Sequence, residues 1–422
     1  MVELKNPLFD SMAMPTQALH ADDHLHETPD VAAPIGVSTT FRYNKSDVEG
    51  NNYGAGQRYV YAREGRANTT QAESVLSTVM EGHAVLYASG LTAALGVLLH
   101  FRPKRVALSA GYFGVRRVVE HYASIAGGVQ IVGAECAYDG VDLVWLETPV
   151  NPTGEVSDIS CYALRAHAAG AVLVVDATLA PPPLCQPFRH GADVVPPPPA
   201  SPARNAPGRR TRTRPGRAGE SDPMVEHDHD ANDARAPAAA QDMRHTRALL
   251  GLGAGSLDTW LLQRSLPTLA VRVRQQAQSA ARLVALLESL RRAAEPRPCH
   301  TPSAADRALG ARLAEVRHAS LQPGISAAAH AQHPHGFGAV FSVRFASQAQ
   351  ALFVARHLRL HAFATSLGGV HSLVDWRRAS DAAADPALLR VSVGLENFDD
   401  LAADWRQALL ALEAHEAASA KL

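Results

Sequence analysis

The chain has 422 residues, of which 46% are hydrophobic and 19% are charged, and its formal net charge is -1. This length accommodates two domains with separate cores, and this balance excludes a nucleic-acid-binding protein or a largely disordered chain. The four cysteines have no paired spacing, the N-terminus has no apolar signal-peptide core, and no apolar run reaches the roughly 18 residues of a membrane helix. We therefore expect a soluble cytoplasmic protein.

The first 60 residues form a polar arm that is rich in His, Asp, Gly and Asn and has little core of its own. We expect this arm to wrap over another surface, such as a second subunit. Just after it, Tyr61 and Arg63 alternate on an extended chain, so that a phenol and a guanidinium can reach one ligand together. Taken alone, such a pair is more often a solvated arginine beside a packing tyrosine.

Residues 71–80 have helical spacing, and they precede a predicted strand at 84–88 and a predicted helix at 91–100. Ser89 and Gly90 therefore lie at a helix N-terminus, where free backbone N–H groups and the helix dipole favour a phosphate. The same pair is more often a simple helix cap.

Two further predicted strands are each followed by residues that suit a ligand. The strand at 105–109 precedes Tyr112, whose ring can stack on a flat ligand or pack in the core. The strand at 141–146 leads into the loop ETPVNPTG, in which Pro149 and Pro152 keep the chain extended. We expect this loop to fix Asn151 at the carboxyl edge of the sheet.

Asp176 directly follows the buried strand predicted at 171–175. Because ligands bind at the carboxyl edge of a parallel sheet, its carboxylate can meet a cationic ring nitrogen there. The alternative is an aspartate that caps a turn at the end of a strand. Strands that alternate with helices, with polar residues at successive strand ends, predict a mostly parallel sheet with one ligand crevice.

The order of these features resembles the cysteine and methionine metabolism family of PLP-dependent enzymes, which includes cystathionine γ-synthase, cystathionine lyases and homocysteine synthases. The resemblance implies the type I fold of PLP-dependent transferases, an α/β fold with a mostly parallel sheet flanked by helices and a small α+β C-terminal domain. It also implies a homo-oligomer, arranged as a dimer of dimers. The motifs that carry the resemblance are Tyr61-Ala-Arg63, Ser89-Gly90-Leu91, Tyr112, Glu147-Thr-Pro-Val-Asn151-Pro-Thr153, Asp176-Ala-Thr178 and Gly191-Ala-Asp193.

The resemblance implies pyridoxal 5'-phosphate as the cofactor. Asp176 would pair with its pyridinium nitrogen, Tyr112 would stack on the ring, and the phosphate would lie at the helix that begins near Ser89. Tyr61 and Arg63 would reach the phosphate from a neighbouring subunit, and Tyr61 is also a candidate catalytic group. The complete set of implied cofactor-binding residues is Tyr61, Arg63, Ser89, Gly90, Leu91, Tyr112, Asn151, Asp176 and Thr178.

The family pattern breaks after Val195, where relatives would continue into a Ser-x-Thr-Lys segment that supplies the Schiff-base lysine. Here the chain reads PPPPASPARNAPGRRTRTRPGR, and the whole sequence contains only Lys5, Lys45, Lys104 and Lys421. Neither Lys104, before a strand on the wrong side of the crevice, nor Lys421, in the tail, is a credible substitute.

Three interpretations of residues 196–243 compete: a basic arm for nucleic acid, a metal site at His227 and His229, and a local reading-frame or splice error in an Arg- and Ala-rich coding region. We favour the last because the family pattern stops and resumes abruptly, and we expect no nucleic-acid, membrane or metal partner.

The resemblance resumes with helices on either side of Pro267 and ends with SLGGVHSLVDW and LLRVSVGLEN. It implies that Arg390 clamps the carboxylate of an amino-acid substrate, with Asn151 and Ser366 nearby. An arginine paired with a surface acid is the structural alternative. His371 stands where relatives usually have Glu, which leaves the choice of substrate open.

We expect an N-terminal arm at 1–60, a PLP-binding large domain at 61–262 with an aberrant, unstructured insert at 196–243, and a helical connector with a small domain at 263–422. The implied function is trans-sulfuration of the cystathionine γ-synthase type, with γ-replacement or elimination on an activated homoserine or a cysteine-type substrate. Because the Schiff-base lysine segment is missing, a catalytically impaired pseudoenzyme is the alternative.

Overall fold

The computed structural model describes residue 9 and residues 11–26, 28–42, 59–196, 235–295 and 303–420. None of the helices in these ranges is both long and apolar enough to cross a membrane. The helices are α1 (Met14–His20), α2 (Ala67–Val79), α3 (Gly90–Phe101), α4 (Phe113–Ile125), α5 (Ile159–Ala168), α6 (Arg235–Leu250), α7 (Ser256–Ser265), α8 (Leu269–Ala293), α9 (Ala304–Gly310), α10 (Ala327–Ala331), α11 (Gln348–His357) and α12 (Phe398–Ser419). The strands are β1 (Arg105–Leu108), β2 (Gln130–Gly133), β3 (Leu143–Glu147), β4 (Val172–Asp176), β5 (Leu313–Arg317), β6 (Val340–Phe345), β7 (Ala362–Phe363), β8 (Leu373–Trp376) and β9 (Leu388–Ser392).

The first sheet is parallel throughout, with the strand order β2-β1-β3-β4. Alternate residues of β3 and β4 belong to two different cores. Trp145 and Val174 pack with α3 and α4 on one face, whereas Val144 and Leu173 pack with α2 and α5 on the other. Helices on both faces explain why these strands are unbroken apolar runs in the sequence. The predicted mostly parallel sheet flanked by helices is confirmed.

Residues 84–87 are buried and Ala88 is exposed, but residues 84–88 do not form a strand, so that prediction is wrong. Side chains bind their backbone groups instead. Glu73 accepts a hydrogen bond from the Leu86 amide at 2.8 Å, and Arg247 donates to the Leu86 carbonyl at 2.8 Å. Arg244 donates to the Ala84 carbonyl at 2.7 Å. Buried backbone groups need partners, and here charged side chains of α2 and α6 supply them.

The second sheet has the order β5-β6-β9-β8-β7 and is antiparallel except for the β7–β8 pair. Helices α8, α11 and α12 cover it around a core that includes Phe341, Phe345 and Trp405. This unit is the small α+β C-terminal domain expected from the sequence.

Helix α8 belongs to both cores. Its residues up to Ala277 pack in the core of the large domain, and its residues from Ala280 onward pack in the core of the small domain. The change of core therefore falls inside α8, later in the chain than the predicted boundary at residue 262. One continuous helix connects the two domains.

The predicted insert at 196–243 is described only in part. Helix α6 begins at Arg235, so the prediction of an unstructured segment is wrong for the end of this range. The physical reason is that α6 has an apolar side to bury, and Met243 is 0% exposed. The arginine-rich stretch, His227 and His229 lie outside the described residues.

Candidate active site

Two acidic side chains lie next to each other at the carboxyl edge of the parallel sheet. Glu147 ends β3 and Asp176 ends β4, and the register makes these two residues direct partners. Partners in a sheet project from the same face, so the two carboxyl groups share one crevice. Each residue is only 5% exposed. Asp176 therefore lies at the edge where the sequence predicts it.

Glu147 joins the loops that follow β1 and β3. Its Oε2 accepts a hydrogen bond from the Tyr112 amide at 2.7 Å, and its Oε1 accepts one from the Asn151 amide at 2.8 Å. Gly111 permits this approach, because a Cβ at its φ of +148° would lie 2.4 Å from Oε2. Glu147 has no role assigned from the sequence, although it shares with Asp176 the signal of an acid at the end of an apolar strand.

The surroundings of the two carboxyl groups raise the pKa of each of them. Burial raises the pKa of Glu147, and the neighbouring Asp176 raises it further. Burial also raises the pKa of Asp176, although hydrogen bonds from Thr178 oppose this effect. Charged carboxylates are therefore disfavoured here unless a cation approaches.

One oxygen of Asp176 remains available for such a cation. The hydroxyl and the amide of Thr178 both donate to Oδ1, the amide at 3.0 Å. No described residue donates a hydrogen bond to Oδ2. A protonated ring nitrogen would supply both the donor and the positive charge that this oxygen lacks. The surroundings of Asp176 therefore fit a pyridinium ring.

Helix α3 begins directly after its N-cap, Ser89. The Ser89 hydroxyl accepts a hydrogen bond from the Thr92 amide at 3.1 Å, and the Thr92 hydroxyl accepts one from the Ser89 amide at 2.8 Å. This reciprocal capping box occupies the Ser89 side chain. The amides of Gly90 and Leu91 remain at the first turn as donors of the kind that binds phosphate. Ser89 thus caps the helix, and phosphate binding by Ser89, Gly90 and Leu91 remains a prediction.

Arg390 brings the small domain to the crevice. It lies on β9, is 3% exposed, and donates to Oδ1 of Asn151 at 3.3 Å and to the carbonyl of Ser366 at 2.8 Å. Ser366 has a φ of +91°, a strained conformation of the kind that concentrates at ligand sites. The Arg390 Nε is buried without a hydrogen-bond partner among the described residues. The structure therefore brings together the three residues predicted for substrate binding and leaves one donor for an acceptor group.

Two residues without a role assigned from the sequence complete this cluster. Asp375 on β8 is the register partner of Arg390, and its Oδ2 lies 3.2 Å from Nη2 of Arg390. Arg377 follows β8, and its Nη1 lies 3.2 Å from the same oxygen. Burial lowers the pKa of Arg390 to about 10, while Asp375 opposes this shift and Arg377 adds to it. No sequence signal marks these residues, because their pairing depends on strand register.

Tyr61 and Arg63 contact each other, but not in the way predicted. The Glu64 amide donates to the Tyr61 carbonyl at 2.9 Å, so the chain turns here instead of remaining extended. The Arg63 guanidinium lies 4.3 Å from the centre of the Tyr61 ring and 4.0 Å from a carboxylate oxygen of Glu64. The Arg63 side chain is 56% exposed. That Arg63 reaches the cofactor phosphate of a neighbouring subunit remains a prediction.

Lys104 is the one lysine in the described ranges, and it lies away from the crevice. It directly precedes β1, at the amino edge of the sheet, where its amide donates to Asp142 at 2.7 Å. Glu147 and Asp176 lie at the opposite edge. Lys5, Lys45 and Lys421 fall outside the described residues.

Comparisons with known proteins extend over nearly the whole chain. The model of a family described as Cys/Met metabolism PLP-dependent enzymes matches residues 15–197 and 231–410. The chain is similar to cystathionine gamma-lyase from Saccharomyces cerevisiae, with 29% identity over 95% of this chain and 98% of that protein. It is also similar to cystathionine gamma-synthase from Mycobacterium bovis, with 29% identity over 93% of this chain and 96% of that protein.

Solved structures are similar to this fold over nearly the whole chain. An apo methionine gamma lyase from Micromonospora echinospora superposes with a TM-score of 0.73 and 28% identity, covering 94% of this chain and 99% of that one. Cystathionine gamma-lyase from yeast superposes with a TM-score of 0.75 and 25% identity, covering 95% and 98% of the two chains. The fold is thus that of solved lyases of this kind.

Proposed function

Because this chain belongs to the family of Cys/Met metabolism PLP-dependent enzymes, we propose that it catalyses γ-replacement or elimination on an activated homoserine or a cysteine-type substrate, in the manner of cystathionine γ-synthase. The similarity to cystathionine lyases and synthases supports this trans-sulfuration chemistry. The observation that carries the proposal is the buried guanidinium of Arg390, which contacts Asn151 and keeps Nε unpaired among the described residues. Such a group suits the carboxylate of an amino acid.

The crevice residues have distinct roles toward the cofactor. Pyridoxal phosphate, when bound, supplies an electron sink for the negative charge that develops at the α-carbon of the substrate. Asp176 would hold the proton of the ring nitrogen, and Thr178 orients its carboxylate by donating two hydrogen bonds to Oδ1. Tyr112 would cover the ring, and the amides of Gly90 and Leu91 would hold the phosphate.

Glu147 connects the residue expected beside the cofactor ring to the residues expected to bind the substrate. It binds the amide of Tyr112 with one oxygen and the amide of Asn151 with the other. Asn151 in turn accepts a hydrogen bond from Arg390. One buried carboxyl group therefore sets the spacing between the residue that covers the ring and the pair that binds the substrate carboxylate, which is the kind of positioning that catalysis requires.

The lysine content of the sequence favours a second candidate, a catalytically impaired protein that binds the cofactor without a covalent bond. The reaction needs a base that takes the α-proton and returns it at a neighbouring carbon. In the family pattern a lysine freed from the cofactor does this, whereas Lys104 lies at the opposite edge of the sheet. Both candidates use the same residues to bind the cofactor and the substrate. They differ in whether a lysine amine in the crevice is present to act as the base.

The experiment that separates these candidates is to add pyridoxal phosphate to the purified full-length chain, reduce one portion with borohydride and dialyse the other. A reduced label on a crevice peptide, together with turnover of an activated homoserine and cysteine, supports the enzyme. Retained cofactor without label or turnover supports the second candidate. A chain that retains no cofactor would refute both.

The cofactor position is tested with Asp176→Asn in the same assay. We expect at least about tenfold weaker retention, because a neutral amide no longer favours a protonated ring nitrogen. Asp139→Asn is the matched control, since Asp139 is exposed. Equal retention by both variants would remove Asp176 from the site. Sequencing of the transcript across codons 190 to 245 separately tests whether a Ser-x-Thr-Lys segment is encoded.

We also propose that the chain is a homo-oligomer in which Tyr61 and Arg63 serve the site of a neighbouring subunit. The exposed Arg63 side chain supports this, as do Val31 and Val37 of the N-terminal arm, which are 100% and 78% exposed. Sedimentation measures the assembly, and a monomer at micromolar concentration would contradict it. Mixing Arg63→Ala chains with Asp176→Asn chains should restore part of the cofactor binding, because the mixed pair contains one intact shared site.

A further inference from the structure

Two buried arginines share one buried carboxylate at the substrate side of the crevice. The side chains of Arg377, Arg390 and Asp375 are 6%, 3% and 5% exposed, and both guanidinium groups reach Oδ2 of Asp375 at 3.2 Å. Two positive charges therefore contact one negative charge, and the other acid that interacts with Arg377 is Glu147, whose protonated form is favoured because burial raises its pKa. A buried cation without a full counter-charge is costly, so this cluster favours a further anion.

Arg377 is the member of the cluster that creates this excess. Asp375 and Arg390 are direct partners across β8 and β9, so their side chains could form a neutral pair by themselves. Arg377 draws Asp375 toward its own Nη1, and its guanidinium carbon lies 5.4 Å from the centre of the Phe113 ring, beside Tyr112. Nη2 of Arg390 donates to the Ser366 carbonyl, and its Nε remains unpaired among the described residues.

We propose that Arg377 is a positioning residue that sets the affinity of the site for the substrate carboxylate, because it takes up the charge of Asp375 and leaves the guanidinium of Arg390 for the ligand. This inference rests on the proposed function, in which Arg390 binds the carboxylate of an amino acid. Arg377 itself acts through Asp375 and does not need to touch the substrate.

The test uses the full-length chain with pyridoxal phosphate and two probes, L-homoserine and 3-aminopropan-1-ol, which is homoserine without its carboxylate. Binding is measured by calorimetry. We expect Arg377→Gln to bind L-homoserine about tenfold more weakly, because Asp375 then neutralises Arg390 and repels the carboxylate. Binding of 3-aminopropan-1-ol should not change.

Three further variants separate charge from structure. Arg377→Lys, which keeps the charge, and the double variant Asp375→Asn with Arg377→Gln, which removes the competing carboxylate, should both bind L-homoserine nearly as well as the unmodified chain. Arg378→Gln is the matched control, because Arg378 is the exposed neighbour of Arg377. Unchanged homoserine affinity in Arg377→Gln, or an equal loss in the double variant, would overturn the inference. An unmodified chain that binds both probes equally would instead refute carboxylate binding at Arg390, and with it the proposed function.

Discussion

Glu147 and Asp176 are buried side by side, and this gives the chain a definite dependence on pH. The pKa of Glu147 is raised to about 8 by burial and by the charge of Asp176, and the pKa of Asp176 is raised to about 6 by burial. The folded chain therefore holds protons that the unfolded chain releases near pH 4. The contribution of this pair to the free energy of unfolding is therefore greatest below about pH 4 and falls as the pH rises toward 8.

The prediction is that the free energy of unfolding of the cofactor-free chain falls by on the order of a few kcal/mol between about pH 4 and pH 8 because of this pair. Glu147→Gln should remove most of that decline, since an amide does not titrate. Chemical denaturation at several pH values measures it. Glu120→Gln, an exposed change of the same kind, is the control. An identical decline in Glu147→Gln and in the unmodified chain would contradict the prediction.

The sequence indicates some of these residues and not others, for a physical reason. Asp176 and Asn151 follow apolar strands, and local order along the chain is enough to place them at the sheet edge. Asp375 lies on the far side of the crevice, and its pairing with Arg390 depends on the register of β8 against β9. Register is set by long-range contacts, which one sequence does not display.

The loop between β1 and α4 depends on a glycine. We expect Gly111→Ala to lower the free energy of unfolding by about 2–4 kcal/mol, because its φ of +148° disfavours a side chain and its Cβ would meet Glu147 at 2.4 Å. Gly127→Ala is the matched control. Gly127 has a φ of +80° and open space around its Cβ position, so only the backbone term of about 1 kcal/mol applies.

Cofactor retention gives a second measurement for this pair of variants. Displacement of Glu147 in Gly111→Ala also moves the Tyr112 amide that it binds. We therefore expect weaker retention of pyridoxal phosphate in Gly111→Ala and unchanged retention in Gly127→Ala. Equal effects of the two variants on stability and retention would show that Glu147 does not need the open space beside Gly111.

Helix α6 is attached to the large domain by buried charges. Arg247 donates to Glu73 at 2.6 Å and to the Leu86 carbonyl, and its side chain is 3% exposed. Arg247→Met should lower the free energy of unfolding by about 3 kcal/mol, because it removes the side-chain donor to the buried Leu86 carbonyl and one of the two arginines that pair with Glu73. Denaturant titration measures this loss.

Two further variants, a double variant and an exposed control, test whether burial causes this loss of stability. Adding Glu73→Gln to Arg247→Met should not recover the loss, since Arg244 still pairs with Glu73 at 2.9 Å and would lose its own counter-charge. Arg189→Gln breaks the exposed ion pair with Glu81, in which the arginine side chain is 63% exposed, and should change stability by less than about 1 kcal/mol. A similar loss in Arg189→Gln and Arg247→Met would argue against a role for burial.

The contacts between α6 and the large domain also explain why the strand predicted at 84–88 does not form. A short buried run is compatible with a strand or with an irregular buried segment, because its residues are apolar in both cases. Glu73 and Arg247 bind the backbone of this run and so favour the irregular conformation. Both residues lie outside the run in the sequence, so the run alone does not reveal these contacts. The helices α3 and α8, by contrast, have long periodic patterns, and the sequence predicts them well.

At the scale of the whole molecule, the loop between β5 and β6 holds the small domain against the large one. Gln322 exchanges two hydrogen bonds with the backbone of Val156, and Gln332 accepts one from the Ile159 amide at 2.8 Å. Ser342 donates to the carbonyl of Pro152 at 2.6 Å. These contacts bind the loop that carries Asn151, so the domain interface supports one wall of the crevice.

Gln332→Leu tests this support. The variant keeps the approximate size of the side chain but removes the acceptor for the buried amide of Ile159, so we expect a loss of about 1–3 kcal/mol and faster hydrogen exchange at residues 154–159. Gln348→Leu, at an exposed position, is the matched control. Exchange that stays slow at residues 154–159 would mean that the large domain alone orders this loop. Faster exchange limited to these residues, with the remaining sheet unchanged, would identify the domain interface as the element that keeps Asn151 beside Arg390.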